Sequence, residues 1–443
     1  MTDRSQTIDE RAASSPRAKA PILLRQPDFL KLWSAQTVSQ IGNQISLLAI
    51  PLVAIIILGA SAFEVGLLGT IEFLPFILFS LPAGVWVDRL RRRPILIAGD
   101  IVRAGSLASI PVAHQLGVLS IWQLYVVGFI TGAATVFFDV AYQSYLPALV
   151  ERDQLVEGNS KLEVSHSAAH IVGPGAAGVL IGWLTAPLAI VLDSLSFVAS
   201  AAFLFAIRRR EATPAPRRDE GGRGLGSMRR EMMEGLRYVL GQPYLRAIAA
   251  CTSVSNLFSQ FVFAILLVYL VREFGMTPEV IGIVFSIGAV GFLPGALVAN
   301  RIASRLGVGP TIVASAFLLG PGNLLVAIAP PDLAAPFIVA GVFIGGFGGV
   351  VYNINQVSLR QAITPQRMQG RMNATMRFLV WGTIPIGSLL GGALATVIGL
   401  RETILLGGVG GFLPFLFVLF SPVRSIQEMP EAVATAPESV SPC

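Results

Sequence analysis

Twelve long apolar segments, separated by short polar turns, constrain the fold of this chain more than any other feature. Each holds about 20 mostly apolar residues, the length that crosses the hydrocarbon core of a bilayer as a helix. With 53% hydrophobic and 13% charged residues, the 443-residue chain has more apolar surface than a soluble protein of this length buries. The runs are continuous rather than alternating, which favours helices over a closed barrel. The sequence predicts an all-α integral membrane protein with twelve transmembrane helices, near residues 31–58, 64–87, 94–113, 121–143, 164–184, 187–207, 245–270, 279–300, 309–329, 333–357, 374–398 and 401–420.

Positive charge is distributed unevenly between the two sets of turns. One set carries Arg89, Arg91, Arg92, Arg93, Arg301, Arg305, Arg360, Arg367 and Arg371. The opposite set carries only Arg272 and Arg401. By the positive-inside rule, both termini and the basic middle linker are predicted to face the cytoplasm of a multi-pass cell-membrane protein. The net charge of +6 is then a topology signal and does not indicate nucleic-acid binding.

Polar stretches divide the chain into five predicted parts. The N-terminal stretch lacks the apolar core and cleavage site of a signal peptide, and the middle linker contains helically spaced Met and Leu residues typical of an amphipathic surface helix. The predicted parts are a cytoplasmic tail (1–27), an N-half of six helices (28–207), a cytoplasmic linker with the amphipathic helix (208–243), a C-half of six helices (244–421) and a second cytoplasmic tail (422–443).

The two halves repeat each other in sequence. "VSQIGNQ" at 38–44 aligns with "VSNLFSQ" at 254–260, and "LPAGVWVDR" at 81–89 aligns with "LPGALVANR" at 293–301. "FFDVAYQS" at 137–144 aligns with "VYNINQVS" at 351–358, and Gly173 falls on Gly387. The offsets of 216, 212, 214 and 214 residues agree closely. Two parallel six-helix halves imply a pseudo-two-fold axis along the membrane normal and a central site between halves that rock.

The loop "GVWVDRLRRRP" after the second span resembles the signature loop of the major facilitator superfamily. Gly84, Asp88, Arg89, Arg92 and Arg93 match it, while Arg91 stands where that family usually has glycine. The resemblance extends over about residues 28–421 and implies the major facilitator fold. It also implies that the matching loop residues belong to a gate at the cytoplasmic side.

Two further segments are similar to particular branches of this superfamily. "VGPGAAG" resembles a motif of antiporter-type exporters; Gly173, Pro174 and Gly178 match, and Ala177 replaces a glycine. "LDSLSFVASA" and "EGLRYVLGQPYLR" resemble the drug/proton antiporter-like branch that contains macrolide-efflux and enterobactin-exporter proteins. The resemblance implies that Asp139 pairs with the loop arginines in the gate. Gly173 and Pro174 allow close helix approach and a bend, which we interpret as serving the rocking motion; helix packing alone is the alternative.

Amide side chains crowd one face of the first span, where lipid contact would be costly. We interpret this face as one wall of a substrate cavity; hydrogen bonding between helices is the alternative. The repeat places a second amide face in the seventh span, and further amides lie in the tenth. The predicted substrate-binding residues are Gln36, Gln40, Asn43, Gln44, Asn256, Gln260, Asn355 and Gln356.

Glu72 lies near the middle of the second span with no cation within one helical turn. A carboxylate isolated at this depth suits proton coupling, because desolvation opposes its charged form. A carboxylate held by hydrogen bonds from neighbouring helices is the alternative. The arginine that many antiporters carry in the fourth span has no counterpart, so proton coupling depends on Glu72 and on the branch resemblance.

The remaining polar residues within the spans favour structural roles. Asp100 and Arg103 are three residues apart and can pair on one helix face, and Asp193 is expected to bond at a helix end. His166 and His170 share a face, but no third ligand is near, so no metal site is predicted. With Cys251 and Cys443 as the two cysteines and no nucleotide-binding loop, the sequence predicts no cofactor and no enzyme activity.

We therefore interpret the chain as a secondary active exporter, acting by alternating access as a monomer in the lipid bilayer. Protons and an amphipathic organic small molecule, such as a drug, macrolide or siderophore, are the expected partners. An importer, a lipid-type translocator or a non-transporting receptor on the same fold remain alternatives.

Overall fold

The computed structural model describes residues 23, 26–150, 154–209, 211 and 225–430. The N-half contains helices α1 (Pro27–Leu52), α2 (Ala62–Arg89), α3 (Arg92–Gln115), α4 (Ile121–Leu149), α5 (Leu155–Leu184) and α6 (Ala186–Phe205). Helix α7 (Leu225–Gly241) lies in the linker. The C-half contains α8 (Pro243–Arg272), α9 (Pro278–Ala289), α10 (Phe292–Leu306), α11 (Val308–Phe317), α12 (Leu319–Ala327), α13 (Ala334–Ile363), α14 (Gln366–Trp381), α15 (Thr383–Ile398), α16 (Leu400–Gly410) and α17 (Leu413–Leu419).

These helices provide twelve segments long and apolar enough to cross a membrane, which confirms the predicted number of spans. Four spans of the C-half consist of two helices each: α9 with α10, α11 with α12, α14 with α15, and α16 with α17. The first span of the N-half is also irregular, because a π-helical turn at Val53–Ile57 follows α1. Interruptions of this kind mark places where a span can bend.

Several helices extend beyond the predicted edges at one end of the bundle. Helix α5 begins at Leu155 rather than near 164, α13 ends at Ile363 rather than near 357, and α14 begins at Gln366 rather than near 374. The added turns are polar, so hydropathy alone does not detect them, although their backbone remains helical. Helix α7 packs on this polar extension of α14, where Glu234 bonds to Arg371 at 2.9 Å.

The two ends of the bundle differ in how the halves pack. We call the end that holds the loops near residues 90, 242 and 365 the linker end, and the opposite end the far end. At the far end one apolar cluster contains buried residues of both halves, among them Leu52 and Ile190 with Val262 and Ile281. At the linker end each half has its own cluster, built around residues such as Leu96 in the N-half and Ile248 in the C-half.

The hydrogen bonds that join the halves among the described residues also lie in the middle and far end of the bundle. Arg272 donates to the carbonyl of Ala60 at 2.6 Å, Thr70 donates to that of Pro385 at 3.1 Å, and the Gly175 amide donates to Ser286 Oγ at 2.7 Å. The structure is therefore closed at the far end, with the halves packed separately at the linker end.

Candidate functional site between the halves

The amide face of α1 contains polar atoms without hydrogen-bond partners. Gln36 and Gln44 are buried, Gln40 is half-buried and Asn43 is exposed. Within the part of the chain that the structure describes, buried Gln36 Nε2 and Gln40 Oε1 have no partner. Buried polar atoms are normally paired, because an unpaired one loses its hydration without compensation. These two atoms are therefore groups that a ligand or water could satisfy if a rearrangement exposed them.

Gln44 packs directly against α5. A Cβ atom built on Gly173 would lie 2.7 Å from Gln44 Cβ, so the glycine makes room for the glutamine. The repeat-related pair shows the same arrangement, since a Cβ on Gly387 would lie 2.7 Å from Gln260 Cβ. The sequence alignment of Gln44 with Gln260 and of Gly173 with Gly387 thus corresponds to equivalent contacts in the two halves.

The amide face of α8 borders a small cavity. Asn256, Ser259, Gln260, Phe263 and Ile384 line about 220 Å³ of open space. Asn256 also donates to the carbonyl of Val380 at 3.0 Å, which ties α8 to α14. The cavity combines two amides and a hydroxyl with a phenyl ring, a surface that suits a molecule of mixed polarity.

The amides predicted on α13 do not reach open space in this structure. Asn355 and Gln356 are 2% and 3% exposed. Asn355 donates to the Val351 carbonyl of its own helix at 2.9 Å, and Gln356 donates to Asn353 Oδ1 at 3.0 Å. Asn353, by contrast, is exposed. Its side chain reaches open space although its Oδ1 accepts the hydrogen bond from Gln356.

A larger open groove of about 520 Å³ lies elsewhere, between α3 and α6. It is lined by apolar and small side chains, with Ser194 as its one hydroxyl. None of the predicted substrate-binding residues lines it, so its size does not make it the candidate site.

Glu72 lies against α4, where glycines leave space for it. A Cβ atom on Gly128 would lie 2.9 Å from Glu72 Cγ, and one on Gly132 would overlap the Glu72 carbonyl. The carboxylate makes no hydrogen bond or salt bridge to any described residue, and no charged side chain in the described ranges acts on it. One turn later, the Phe76 ring lies 5.4 Å from that of Trp381 in the C-half.

Arg92 and Arg93 of the signature loop bond to the linker and to the end of α6. Arg92 and Arg93 present their backbone amides to the carboxylate of Glu211, and Arg92 Nη1 bonds to Glu211 Oε1 at 3.1 Å. Arg93 Nε donates to the carbonyl of Leu204 at 2.9 Å. Glu211 therefore caps the N-terminus of α3 from the linker, a role that no sequence pattern indicated. The surroundings of Gly84 and the side chains of Asp88 and Arg89 lie outside the part of the chain that the structure describes.

Asp139 is half-buried on α4, within electrostatic reach of charges on other helices. The described charged side chains that act on its carboxylate are Arg103, Arg377 and His166. No described side chain forms a hydrogen bond or salt bridge with Asp139, and Arg92 and Arg93 are engaged elsewhere. Arg377 belongs to the C-half, and its influence on Asp139 was not expected from the sequence.

Buried charge in the N-half is organised around α3 and α6. Arg103 Nη2 bonds to Asp100 Oδ1 at 2.5 Å, as the spacing predicted. Asp193 accepts hydrogen bonds from Ser46 of α1 and, at 3.0 Å, from Ser196. The expectation that Asp193 bonds at a helix end was wrong, because its partners lie in the α1–α6 interface, where Gly42 leaves space for them.

The histidines of α5 do not form a metal site among the described residues. The rings of His166 and His170 lie 4.4 Å apart, and His166 Nδ1 is 3.9 Å from Glu163 Oε1. All three side chains are exposed, so they face open space rather than a closed coordination shell.

Glycines form close backbone contacts between the halves, and of these only Gly178 was noted in the sequence. A Cβ on Gly66 would lie 2.8 Å from the Cα of Gly392, and one on Gly282 would lie 2.8 Å from the Cα of Gly178. The two crossings, α2 with α15 and α9 with α5, are equivalent under the repeat. At both crossings the backbones of the two halves are in direct contact.

Comparisons with known proteins agree with this architecture. The family of transmembrane secretion effectors matches residues 18–440. The chain is 29% identical over 412 residues to the multidrug efflux pump Tap of Mycolicibacterium fortuitum, covering 88% of this chain and 97% of the relative. It is 24% identical over 381 residues to the macrolide efflux protein A of Streptococcus pyogenes, covering 86% and 92%. A bacterial homologue of the iron transporter ferroportin, solved in an inward-facing state, superposes with a TM-score of 0.73 at 16% identity, covering 90% of this chain and 98% of that one.

Proposed function

Because the chain belongs to the transmembrane secretion effectors of the major facilitator superfamily, we propose that it exports amphipathic organic compounds by alternating access, in exchange for protons. Export as such follows from the family and from the efflux relatives. The proposal adds the mechanism, the substrate class and the coupling ion.

The observation that carries the proposal is the difference between the two ends of the bundle. One apolar cluster closes the far end across both halves, whereas the linker-end clusters stay within each half. A state that is closed at one end and separated at the other is one of the two states that alternating access requires. The other state would form by rotation about the glycine crossings Gly66–Gly392 and Gly178–Gly282.

Charge supports assigning the linker end to the cytoplasm. The described linker-end residues include Arg92, Arg93, Arg209, Arg301 and Arg305, whereas Arg272 and Arg401 lie at the far end. Under the positive-inside rule, the present state is then open toward the cytoplasm, the side from which an exporter takes up its substrate.

The amide faces support a substrate of mixed polarity. Gln36 and Gln40 offer unpaired polar atoms, and the α8 cavity sets Asn256 and Gln260 beside Phe263. These uncharged groups suit a neutral polar framework with apolar parts, which is the chemistry of macrolides and many drugs. We assign substrate contact to Gln36, Gln40, Asn43, Gln44, Asn256 and Gln260, and to Asn355 and Gln356 after a rearrangement of α13.

The isolation of Glu72 supports a proton-coupling role. With no cation or hydrogen-bond partner among the described residues, its carboxylate can take up a proton without breaking an ion pair. Its position one turn from Phe76, which contacts Trp381 of the C-half, puts it close to the surface that changes when the halves move.

Uptake into inside-out vesicles tests the proposal directly. An acid-inside gradient imposed on vesicles that contain the protein should drive accumulation of a macrolide, a lipophilic dye or a catecholate siderophore. A protonophore should abolish the accumulation, and vesicles without the protein should show none. Accumulation that persists without a pH gradient would refute proton coupling, and accumulation only in right-side-out vesicles would refute export.

A further inference from the structure

The open groove of about 520 Å³ between α3 and α6 has the length of one membrane leaflet. Its lining extends from Ile97 to Ala108 on α3 and from Ser194 to Phe205 on α6. Each stretch corresponds to about 17 Å of helix, close to the roughly 15 Å that one leaflet contributes to the hydrocarbon core. Ile97 lies near the start of α3 and Phe205 at the end of α6, so the groove covers the leaflet at the linker end.

The groove is apolar and opens on the outside of the N-half. Helices α3 and α6 pack on each other and on α1, α4 and α5 of the same half, and Ile101 and Val198 in the groove wall are 58% and 52% exposed. The hydroxyl of Ser194, the one polar side chain of the lining, donates to the Ala104 carbonyl at 2.8 Å. A Cβ atom on Gly105 would meet no atom within 4 Å, so the missing side chain leaves the groove open. A hydrocarbon chain fits such a surface, whereas a sugar or a peptide would find no hydrogen-bond partner.

A cation lies at the linker end of the groove. The Arg93 guanidinium is 5.8 Å from the centroid of the Phe205 ring, which forms this end of the lining. It donates to the carbonyls of Leu204, at 2.9 Å, and Phe205. The nearby carboxylate of Glu211 forms its salt bridge with Arg92 instead, and no described carboxylate forms one with Arg93. A positive charge is therefore held beside the end of an apolar groove.

We propose that the groove binds an anionic phospholipid, with an acyl chain between α3 and α6 and the phosphate headgroup beside Arg93. Arg93 precedes Ile97 by one helical turn, which puts its charge just beyond the apolar lining, where a headgroup lies. Arg208, exposed three residues after Phe205, adds a second positive charge at this end. Basic residues beside a space between spans are typical of sites for anionic headgroups. The inference does not depend on the substrate, the coupling ion or the direction of transport.

Native mass spectrometry of the full chain in detergent tests this lipid site. The protein is titrated with dioleoylphosphatidylglycerol or with dioleoylphosphatidylcholine, which share their acyl chains and differ in headgroup charge. The wild type should bind one phosphatidylglycerol about fivefold more tightly than one phosphatidylcholine, the ratio that one basic residue near a membrane surface supplies. Gly105→Leu and Ala202→Leu fill the groove from α3 and from α6, and each should weaken the binding of both lipids about tenfold, because part of the acyl chain loses its contact. Ala314→Leu is the matched control, since it adds similar bulk at an exposed position of α11 that lines neither cavity.

Charge variants separate a headgroup contact from a purely structural role of Arg93. Arg93→Gln should weaken the binding of phosphatidylglycerol about fivefold and leave that of phosphatidylcholine unchanged, because only the anionic headgroup loses a partner. Arg93→Lys keeps the charge and should keep the preference. Arg305 is exposed at the linker end of the C-half, so Arg305→Gln is the matched control and should change neither affinity. If Arg93→Gln weakens the binding of both lipids equally, the arginine serves only to hold the end of α6, and the headgroup assignment is wrong.

The outcomes bear on the lipid site alone and leave the proposed transport function untouched. Equal affinity of the wild type for the two lipids, or binding that neither Gly105→Leu nor Ala202→Leu weakens, would overturn the proposal. A dimer that Gly105→Leu converts into a monomer, with lipid binding unchanged, would assign the groove to a second copy of the chain and would overturn it as well. Thermal unfolding of each variant in detergent identifies misfolded samples, and the second leucine variant then supplies the test from the other wall of the groove.

Discussion

Gly387 lies against Gln260 as Gly173 lies against Gln44, with the same 2.7 Å separation between the position of a Cβ on each glycine and the Cβ of its glutamine. The chain thus repeats one helix–helix contact in both halves. The contact also explains why the two glutamines are held in place. Each packs against a neighbouring helix at a glycine, which has no side chain.

Adding a methyl group at either glycine should destabilise the protein. We expect Gly173→Ala and Gly387→Ala each to lower the free energy of unfolding by about 1–3 kcal/mol, because the new Cβ would overlap the glutamine packed against it, which is buried at Gln44 and half-buried at Gln260. Thermal unfolding in detergent measures the change. Gly105→Ala is the control: nothing lies within 4 Å of its Cβ position, and alanine in a helix interior should stabilise by about 0.5–1 kcal/mol. Equal effects at all three positions would contradict the packing role.

Removing the arginine that closes the far end should open that end. Arg272 donates to the carbonyls of Gly59 and Ala60 in the other half, at 3.3 and 2.6 Å. We expect Arg272→Ala to raise the rate of labelling of Asn43→Cys by an impermeant thiol reagent from the far side about fivefold to tenfold, since a charged hydrogen bond is lost.

Arg401→Ala provides a matched control for that experiment. Arg401 also lies at the far end and donates to a backbone carbonyl, but its acceptor, Ala327 at 3.1 Å, belongs to the same half. Labelling should stay at the wild-type rate. If Arg401→Ala speeds labelling as much as Arg272→Ala, the bond between the halves is not what closes this end.

Replacing Glu72 of α2 should remove proton coupling while substrate binding remains. Glu72→Gln keeps the shape and removes the ionisable group, so we expect substrate binding within about twofold of wild type and loss of accumulation driven by a pH gradient. Glu157→Gln, which alters a half-buried ion pair with Lys161 of the same helix, should accumulate substrate normally. Undiminished pH-driven accumulation by Glu72→Gln would assign coupling to another group.

The cap on α3 should contribute more to stability than an ordinary linker ion pair. The Glu211 side chain is only 5% exposed and accepts hydrogen bonds from Arg92 and Arg93. We expect Glu211→Ala to cost about 1–3 kcal/mol of unfolding free energy, because two helix N-terminal amides and a guanidinium lose their acceptor. Glu234→Ala breaks the exposed pair with Arg371 and should cost under about 1 kcal/mol. Similar losses for both variants would argue against a cap.

The number of spans and the repeat were predictable from the sequence, because hydropathy and alignment report on both directly. The pairing of Asp100 with Arg103 was also predictable, since helical spacing alone brings the two together. Local periodicity carries this kind of information.

What the sequence did not reveal depends on how whole helices are rotated against each other. Asn355 and Gln356 were expected to face a cavity, yet they are buried, while Asn353 on the same helix is exposed. Arg377 and Glu211 likewise owe their positions to contacts with distant segments. A polar stripe shows that a helix face avoids lipid, but it does not distinguish an open cavity from a neighbouring helix.

The two glycine crossings between the halves share one geometric requirement although they lie far apart in the chain. Gly66 meets the carbonyl of Ser388 and the Cα of Gly392, and Gly282 meets the carbonyl of Pro174 and the Cα of Gly178. A side chain added at one crossing alone would separate the helices at that crossing while the other stayed in contact. Larger residues at Gly66 and Gly282 should therefore be tolerated only when both are replaced together. The same limit on side-chain size then applies to two residues that lie more than 200 positions apart in the chain.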